Sequence, residues 1–481
     1  MSQRYFSFFL REMRRLPSSV VRQRRAFAIL TTGFTLFIMS PVVRAEAAKV
    51  DKAAKPETVS YAAQPGDTIY EVADRYLSDP YDWRVLARLN RVDAPRRLKP
   101  GTLLKLPVAL LKRDPLMVRV LAASGDAERI SKAVPPLPLA EGASLGEGDA
   151  ISTGSNGFVT IELEDGTHLT LTPRSTLALG TLRRTVLTGR TERDFSLIRG
   201  EVESEVEHLT KPDDHFEIHA PSIVAGVRGT HFRVNYDPVA TTVEVLDGKV
   251  AVGNAETHAP ATKGKLDEEA AAPQSQLVPA GYGSVTRGGA VGAPVALLPA
   301  PTLAHPAKIQ DGPHVEFDLQ PVAGATHYRL DIARDAGTLD LIRETRTQTP
   351  HASFEDVADG TYFVRVSAID GAGLQGLPRV YAFERRRNGV DASAGRAGGA
   401  RSYEFRWLAS RPGVDTHFRF VLSRNEDLRD PLVDAVDISG HRFVVTGLPA
   451  GVYYWTVIAE QFENGRFYET AAGVRSFTLA Y

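Results

Sequence analysis

The spacing of apolar residues changes about a quarter of the way along the 481-residue chain, and this change most restricts its fold. Beyond that point apolar residues recur at every second position, as at Val118 and Val120, which is the spacing of a half-buried strand. Asp165-Gly166 and Asp247-Gly248 each separate two apolar runs. An Asp-Gly pair in that setting is the strongest short-range hairpin signal. Residues 116–287 are therefore predicted to form an all-β domain.

A shorter module with helical spacing precedes the all-β region. Residues 59–62 fit a strand, and Leu103 to Pro107 fit another. Between them, apolar residues at helical spacing outline two helices: Ile69, Val72, Ala73 and Tyr76 in the first, and Trp83, Leu86, Ala87 and Leu89 in the second. The predicted order for residues 58–108 is βααβ, a small α+β fold.

This module resembles a LysM domain. The resemblance rests on Pro65-Gly66-Asp67-Thr68-Ile69, Trp83, Leu89-Asn90, Leu98-Lys99-Pro100-Gly101 and Leu104-Lys105-Leu106-Pro107. It implies binding of N-acetylglucosamine-containing glycans, here peptidoglycan, in a groove between the first strand–helix loop and the second helix–strand loop. Carried over by position, the glycan-binding residues are Gly66, Asp67, Thr68 and Ile69 on one wall, and Asn90, Arg91, Lys99 and Pro100 on the other.

Several of these residues also have structural interpretations. Asp67 and Thr68 can cap the first helix. Trp83 can pack in the core instead of stacking on a sugar. Gly66 permits close approach of the backbone to a ligand.

The all-β region resembles a FecR-type periplasmic domain. The resemblance rests on Gly148-Asp149-Ala150-Ile151-Ser152-Thr153-Gly154, Leu163-Glu164-Asp165-Gly166-Thr167, Ile198-Arg199-Gly200-Glu201-Val202 and the run from Ala220 to Phe232. In the iron-citrate sensor, such a domain belongs to a sigma regulator with a cytoplasmic segment and one spanning helix. This chain has a LysM-like module instead, so the resemblance implies only a periplasmic protein-interaction role.

Two local patterns in the FecR-like domain have alternative interpretations. Arg228, between Gly226 and Gly229, either holds a turn by donating to backbone carbonyls or binds a carboxylate of a protein partner. Histidines cluster in the same region, but strand residues four apart are about 13 Å apart. This distance is too long for one ion, so we predict neither a metal site nor a cofactor there. The histidines concerned are His208, His215, His219 and His231.

Residues 1–45 are predicted to be an export signal. They carry eight Arg and one Glu, contain an apolar run of about 14 residues, and end in Val43-Arg44-Ala45, an A-x-A-like cleavage site. A spanning helix needs about 20 residues, so we expect cleavage after Ala45, no remaining membrane span, and a location in the periplasm or cell envelope. A retained anchor, a twin-arginine signal at Arg24-Arg25 and a true start at Met13 are alternatives.

The last 180 or so residues contain a tandem repeat. His327 to Ile332 matches His417 to Leu422, and Gly360 to Ala368 matches Gly451 to Ala459. The offset of about 88–91 residues is that of a β-sandwich. Both copies resemble fibronectin type III-like domains, whose cores are predicted to contain Tyr362, Phe383, Tyr453, Trp455 and Phe477.

The predicted fold is therefore multidomain, and its boundaries follow from these patterns. They are a signal peptide at 1–45, a linker at 46–57, the LysM domain at 58–108, the FecR-like domain at 116–287 with a disordered insertion at 254–275, a linker at 288–301, the first sandwich at 302–385, a linker at 386–400 and the second sandwich at 401–481.

Composition and motifs exclude several classes of function. The chain has no cysteine, which excludes disulfides, thiolate zinc sites and cysteine nucleophiles. Without the basic signal its formal charge falls from -1 to about -8, a poor match to nucleic acid. The metalloprotease motif H-E-x-x-H and a phosphate-binding loop of the type G-x-x-x-x-G-K-[ST] are absent, and we expect no enzymatic activity.

The predicted function is that of a cell-wall-bound scaffold or adaptor with peptidoglycan and an envelope protein as partners. The alternative is an envelope signalling component that senses a receptor or the state of the wall through the FecR-like domain. A secreted wall protein is a third interpretation.

Overall fold

The computed structural model describes residues 57–481 except 132–133, 256–274, 307–308, 388, 399–400, 412, 464 and 481. The predicted signal peptide, linker 46–57 up to residue 56, and nearly all of the predicted disordered insertion lie outside the described residues. Within the described part, no helix has the length and apolar character needed to cross a membrane.

The first domain has the predicted βααβ order. Its elements are β1 (Thr58–Ala62), α1 (Ile69–Tyr76), α2 (Trp83–Asn90) and β2 (Leu103–Pro107). β1 and β2 pair antiparallel. Ile69, Val72 and Leu86 on the helices are buried in one cluster with Leu104 and Leu106 on β2, as the helical spacing predicts. This confirms the small α+β module.

The FecR-like domain is all-β, as predicted. Its strands are β3 (Arg113–Pro115), β4 (Val118–Ser124), β5 (Ala127–Ile130), β6 (Leu137–Pro138), β7 (Ser144–Leu145), β8 (Ala150–Thr153), β9 (Phe158–Glu162), β10 (His168–Leu171), β11 (Thr176–Thr185), β12 (Thr191–Val206), β13 (His215–Ala220), β14 (Ile223–Gly226), β15 (Thr230–Asp237), β16 (Ala240–Asp247), β17 (Lys249–Asn254), β18 (Gln276–Pro279), β19 (Tyr282–Arg287), β20 (Ala290–Val291) and β21 (Val295–Ala296). Their pairings close into a barrel around one apolar core.

The 16-residue strand β12 organises this domain. Its first half pairs with β11 and, in parallel, with β13. Its second half pairs with β10 and β15. Because β12 belongs to both halves of the barrel, its outward side chains have two different surroundings. Those of its first half lie beside the side chains of β13, and those of its second half, such as Glu203, contact the first sandwich.

The first sandwich contains β22 (Ile309–Gln310), β23 (Val315–Asp318), β24 (Ala325–Ala333), β25 (Leu341–Thr347), β26 (His351–Phe354), β27 (Gly360–Asp370) and β28 (Arg379–Arg385). A five-stranded sheet of order β22-β28-β27-β24-β25 faces the β23-β26 pair. Tyr362 and Phe383 are buried between the sheets, as predicted.

The second sandwich contains β29 (Val390–Arg396), β30 (Tyr403–Ala409), β31 (Thr416–Ser423), β32 (Val433–Ile438), β33 (Arg442–Val445), β34 (Gly451–Glu463), β35 (Arg466–Ala471) and β36 (Arg475–Leu479). Tyr453 and Trp455 are buried in its core, and Phe477 packs against them half-buried. The Tyr453 hydroxyl donates to the Pro449 carbonyl at 2.6 Å, as in the tyrosine corner of many sandwich domains.

Two segments predicted as linkers contain strands. In segment 288–301, β20 and β21 both pair with β19 and so extend the FecR-like domain. In segment 386–400, β29 pairs with β30 along seven residues, and Val390 and Ala392 are buried. The Gly, Ala and Ser content of both segments indicates flexibility, but alternate small side chains also fit a strand that packs on one face.

Candidate functional site

The first loop of the predicted glycan groove is a tight turn. Asp67 N donates to the Gln64 carbonyl at 3.1 Å, and Gly66 has a φ of +90°. Pro at the second position and Gly with positive φ at the third are the signature of a type II turn. A side chain added at Gly66 would meet no atom within 4 Å, so the turn faces open space and leaves room for a ligand.

Asp67 is buried beneath this turn and does not cap the helix. Its carboxylate accepts from the Tyr61 hydroxyl at 2.6 Å and from Gln64 N at 2.8 Å, and it lies 3.6 Å from Arg75. Burial would raise the pKa of Asp67, but these hydrogen bonds and the Arg75 charge outweigh it and lower that pKa. Burial and the same carboxylate raise the pKa of Tyr61 to about 12. The Asp67 side chain therefore stabilises the loop from inside.

Thr68 is the residue that caps α1. Its side chain accepts from Glu71 N at 3.2 Å, and Glu71 accepts from Thr68 N at 2.9 Å, a reciprocal capping box. Ile69 is fully buried, so only its backbone can take part in binding a glycan. Trp83 is half-buried against the domain core and tilts onto Tyr70 with ring centroids 4.6 Å apart, which supports its packing interpretation.

The second wall begins where α2 ends. Asn90 donates to the Leu86 and Lys105 carbonyls at 2.9 Å, and its side-chain oxygen accepts from Lys105 N at 2.6 Å. These bonds tie α2 to β2 and give Asn90 a structural role. Arg91 has the left-handed conformation, with φ 52° and ψ 47°, and its side chain is exposed, as are those of Lys99 and Pro100.

The fold brings the two predicted walls together. Leu98 N donates to the Asp67 carbonyl at 3.3 Å, and Ile69 N donates to the Pro95 carbonyl at 2.9 Å. The loops thus meet through their backbones, with Gly66 on one side and Arg91, Lys99 and Pro100 exposed on the other. The candidate glycan site is this backbone-lined surface.

Arg228 holds a turn. It donates to the Pro212 carbonyl at 2.6 Å and to the Lys211 carbonyl at 2.9 Å. Gly229 has a φ of +112°, and a Cβ there would lie 2.8 Å from the Cα of His208, so only glycine fits. This geometry supports the turn interpretation, and carboxylate binding by Arg228 stays a prediction.

A buried charge cluster joins the FecR-like domain to the first sandwich, and the sequence analysis missed it. Arg329 is fully buried and forms ion pairs with Glu201, with Asp331 at 3.0 Å and with Glu344 at 2.9 Å. Its buried members are Glu201, Glu203, Arg233 and Glu244 from the FecR-like domain and Arg329, Asp331 and Arg365 from the sandwich. At its rim, Glu344 is half-buried, and Arg346, whose side chain is 43% exposed, lies 3.1 Å from Glu201.

The second crossing of this interface involves Arg365. It lies 2.8 Å from Glu203 across the interface and 2.9 Å from Asp331 within its own sheet. Burial would raise the pKa of Glu201, but the Arg329 and Arg346 charges outweigh it and lower the pKa to about 2. Burial raises the pKa of Glu244 to about 7 despite the Arg233 charge. The charge of Glu201 is therefore strongly compensated, whereas that of Glu244 is poorly compensated.

The cluster could not be recognised from strand alternation. On β24, Arg329 and Asp331 alternate with the buried Leu330 and Ile332, which is the usual pattern of a sheet with one solvated face. A sequence does not show that a second domain covers that face. The sequence does show that strands of both domains carry many residues of opposite charge. It does not show which of these residues face each other.

A polar cleft of about 590 Å³ opens beside the charge cluster. Its walls come from both domains and include Arg174, Tyr236 and Asp237 of the FecR-like domain with Thr345 and Arg346 of the sandwich. The mixed charges suit a polar ligand or a loop of a protein partner.

Two segments of the chain match known families. Residues 61–107 match the LysM domain, and residues 149–251 match the FecR protein family. Both resemblances predicted from the sequence are thereby confirmed. LysM domains generally bind N-acetylglucosamine-containing glycans, and the two families together suggest an envelope or periplasmic protein. The comparison with curated proteins gives no match.

Solved structures that are similar to parts of the chain include a protein described as an anti-sigma factor and several fibronectin-like modules. The protein assigned as an anti-sigma factor, from Parabacteroides distasonis ATCC 8503, is 16% identical, with a TM-score of 0.23 and coverage of 31% of this chain and 59% of that one. The fibronectin(III)-like modules of Clostridium thermocellum CbhA are 14% identical, with a TM-score of 0.19 and coverage of 37% and 92%. Two fibronectin type-III domains of chicken tenascin are 16% identical, with a TM-score of 0.18 and coverage of 37% and 99%. The chain thus spans less than two thirds of the first of these proteins.

Proposed function

We propose that this chain is a non-enzymatic envelope protein that binds peptidoglycan through its LysM domain and holds the FecR-like domain and the sandwiches as a periplasmic scaffold. The observation that carries the proposal is the LysM match over residues 61–107, together with two loops that meet through backbone hydrogen bonds beside an open turn. Backbone donors and acceptors suit the amide of an N-acetyl sugar.

The scaffold part of the proposal is supported by the junction after the FecR-like domain. Ion pairs between buried residues, such as Glu203–Arg365 at 2.8 Å, cross it. A junction of this kind fixes the orientation of two domains more strictly than apolar contact does, because each charge needs its own partner. The polar cleft at the same junction offers a surface for an envelope partner.

Sedimentation with insoluble peptidoglycan sacculi tests the wall-binding part. The chain is expressed from Met1, purified from the envelope fraction and compared with a chain lacking residues 58–108. We expect the intact chain to sediment with sacculi and the deletion to stay in solution. Equal sedimentation of both would move glycan recognition to the β domains, and the absence of binding by either would contradict the proposal.

A finer comparison uses residues whose removal spares the fold. Arg91→Gly keeps the left-handed conformation without strain, and Lys99→Ala removes an exposed side chain. The double variant is expected to bind sacculi about tenfold more weakly, as for loss of one charge-assisted hydrogen bond. The double variant Arg84→Ala/Arg88→Ala, which also removes two positive charges but from the exposed face of α2, is the matched control and is expected to bind normally.

The alternative proposal is envelope signalling through the FecR-like domain, favoured by the family match over residues 149–251. Direct sigma control needs a cytoplasmic segment. The mass of the mature chain separates the two proposals: an N-terminus near Glu46 favours the scaffold, and retention of residues 1–45 favours signalling.

A further inference from the structure

Four potential metal ligands converge on the outer face of the FecR-like barrel, on strands β12 and β13. Asp194 on β12 lies opposite Glu217 on the parallel strand β13. His215 and His219 lie two residues to either side of Glu217. The intervening Phe216 and Ile218 are buried in the barrel core, so the polar residues of β13 share the opposite face.

The distance of about 13 Å between strand residues four apart does not exclude a site here. That spacing separates backbone positions, whereas both imidazole rings lean toward the carboxylate between them. His215 Nε2 lies 3.3 Å from one oxygen of Glu217, and His219 Nε2 lies 3.1 Å from the other. Asp194, on the neighbouring strand, adds a carboxylate that no pattern within β13 could reveal.

The donor spacings match those around a small metal ion. One donor atom each from Asp194, Glu217 and His219 lie within 4.8 Å of one another. His215 Nε2 lies 3.5 Å from Asp194 Oδ1. Zinc ligands at about 2.0–2.1 Å in a tetrahedron are separated from one another by about 3.3 Å. Small side-chain rotations would therefore bring three of these donors to an ion without moving the strands.

The cluster also has an unsatisfied atom and an open flank. Asp194 Oδ1 is shielded from solvent and makes no hydrogen bond; its contact with His215 Nε2 is a long ion pair of 3.5 Å, so a bound cation would compensate this carboxylate further. On β14, Gly226 lies opposite Glu217, and a Cβ there would sit 3.9 Å from the Glu217 side chain. A larger residue at Gly226 would pack against the carboxylate, so with glycine no side chain at this position of β14 covers Glu217.

We propose that Asp194, Glu217 and His219, with His215 as a further ligand, form a binding site for a divalent transition-metal ion of the Zn²⁺ class. Imidazole with carboxylate suits such ions, whereas Ca²⁺ and Mg²⁺ prefer oxygen ligands alone. The ion would balance two carboxylates that face each other and would tie β12 to β13. The site is independent of peptidoglycan binding.

Zinc titration of the purified chain tests this site. The chain is expressed from Met1 and purified without a histidine tag, and ZnCl₂ is added in a calorimeter. We expect saturation near one zinc per chain, with no displacement by excess Ca²⁺ or Mg²⁺. Glu217→Gln and His219→Gln are each expected to weaken binding by at least about tenfold. X-ray absorption at the zinc edge should show imidazole and oxygen ligands.

His351→Gln is the matched control. His351 and Asp318 form a histidine–carboxylate pair at 2.8 Å on the first sandwich, without the Asp194–Glu217–His219 arrangement, and zinc binding should be unchanged. Circular dichroism checks folding. If Glu217→Gln misfolds, His219→Gln decides, because the His219 side chain is 38% exposed. Absence of zinc binding by the wild-type chain, binding unchanged in the folded variants, or displacement by Ca²⁺ would overturn the site and leave only an ion-pair ladder.

Discussion

The two sandwiches share a repeat but use the same sheet face differently. Arg329 on β24 of the first corresponds to Arg419 on β31 of the second, and each pairs with an acid on the next strand. Arg329 lies 2.9 Å from Glu344, and Arg419 lies 2.7 Å from Asp434. The Arg329 side chain is fully buried, whereas the Arg419 side chain is 38% exposed. The same ion pair is therefore internal in one copy and superficial in the other.

The residues around this pair account for the difference. In the first sandwich Asp331 and Arg365 lie opposite each other on β24 and β27. The equivalent pair in the second is Val421 and Thr456. Asp331 and Arg365 continue the charges across the sheet to Glu203 of the FecR-like domain. The core of a sandwich thus sets its fold, and the outer face of one sheet decides whether it docks on a neighbour.

Substitution of the buried arginine should have the largest effect on this comparison. Arg329→Met leaves Glu201 and Asp331 buried with less compensation, and loss of one partner from a buried ion pair costs about 3–5 kcal/mol. Hydrogen exchange of peptides from β24 and β12, read by mass spectrometry, is expected to accelerate more than about a hundredfold. Unchanged exchange in β24 would mean that the buried charges do not hold the junction.

The pH dependence of the junction should be the next largest effect. Glu244 has a pKa of about 7 in place of the ordinary 4.5, so the folded state binds its proton more tightly than the unfolded state. Its contribution to stability is complete below about pH 4.5 and is lost as the pH rises through about 7. We expect the free energy of unfolding to fall by at most about 3 kcal/mol between pH 5 and 8. Hydrogen exchange of peptides from β16 at several pH values measures this fall.

Glu244→Gln is the matched variant for this pH effect because the amide resembles the protonated acid. The variant should equal the wild-type chain near pH 5 and exceed it in stability at pH 8. A variant that loses stability equally at both values would show that Glu244 is not protonated at the interface.

Substitution of the exposed arginine should have the smallest effect. Arg419→Met removes an ion pair that water already screens, and such pairs contribute about 0–1 kcal/mol. Urea unfolding of the second sandwich can be followed by the fluorescence of its buried Trp407 and Trp455. A loss of stability as large as that expected for Arg329→Met would contradict the difference proposed between the two sandwiches.

The sequence predicts much of the fold because its signals are local. Helical spacing at Ile69 and Val72, the Asp165-Gly166 hairpin and the repeat around Tyr362 and Tyr453 each depend on neighbouring residues, and the structure has the corresponding elements. The two loops of the predicted groove meet through their backbones, and glycan binding by their residues stays a prediction. The roles of Asp67 and Thr68 within the loop depend on hydrogen-bond partners that the sequence does not show.

The charge cluster and the proposed metal site could not be predicted in this way. Glu201 and Arg329 are separated by 128 positions, and Asp194 meets Glu217 only because β12 and β13 pair in parallel. Register between distant strands is set by the packed core and is not encoded in the spacing of charged residues. Alternating charges therefore resemble a solvated face whether or not another domain covers it.

The central claim is that buried ion pairs fix the orientation of the first sandwich on the FecR-like domain. Because the chain has no cysteine, a double variant with Val239→Cys and Glu316→Cys carries one spin label on each domain. Both positions are exposed. Pulsed electron–electron double resonance on this doubly labelled chain, with the buried ion pairs intact, should give one narrow distribution of distances between the two labels. A broad distribution, or two distances, would contradict the claim and show that the buried charges do not fix the junction.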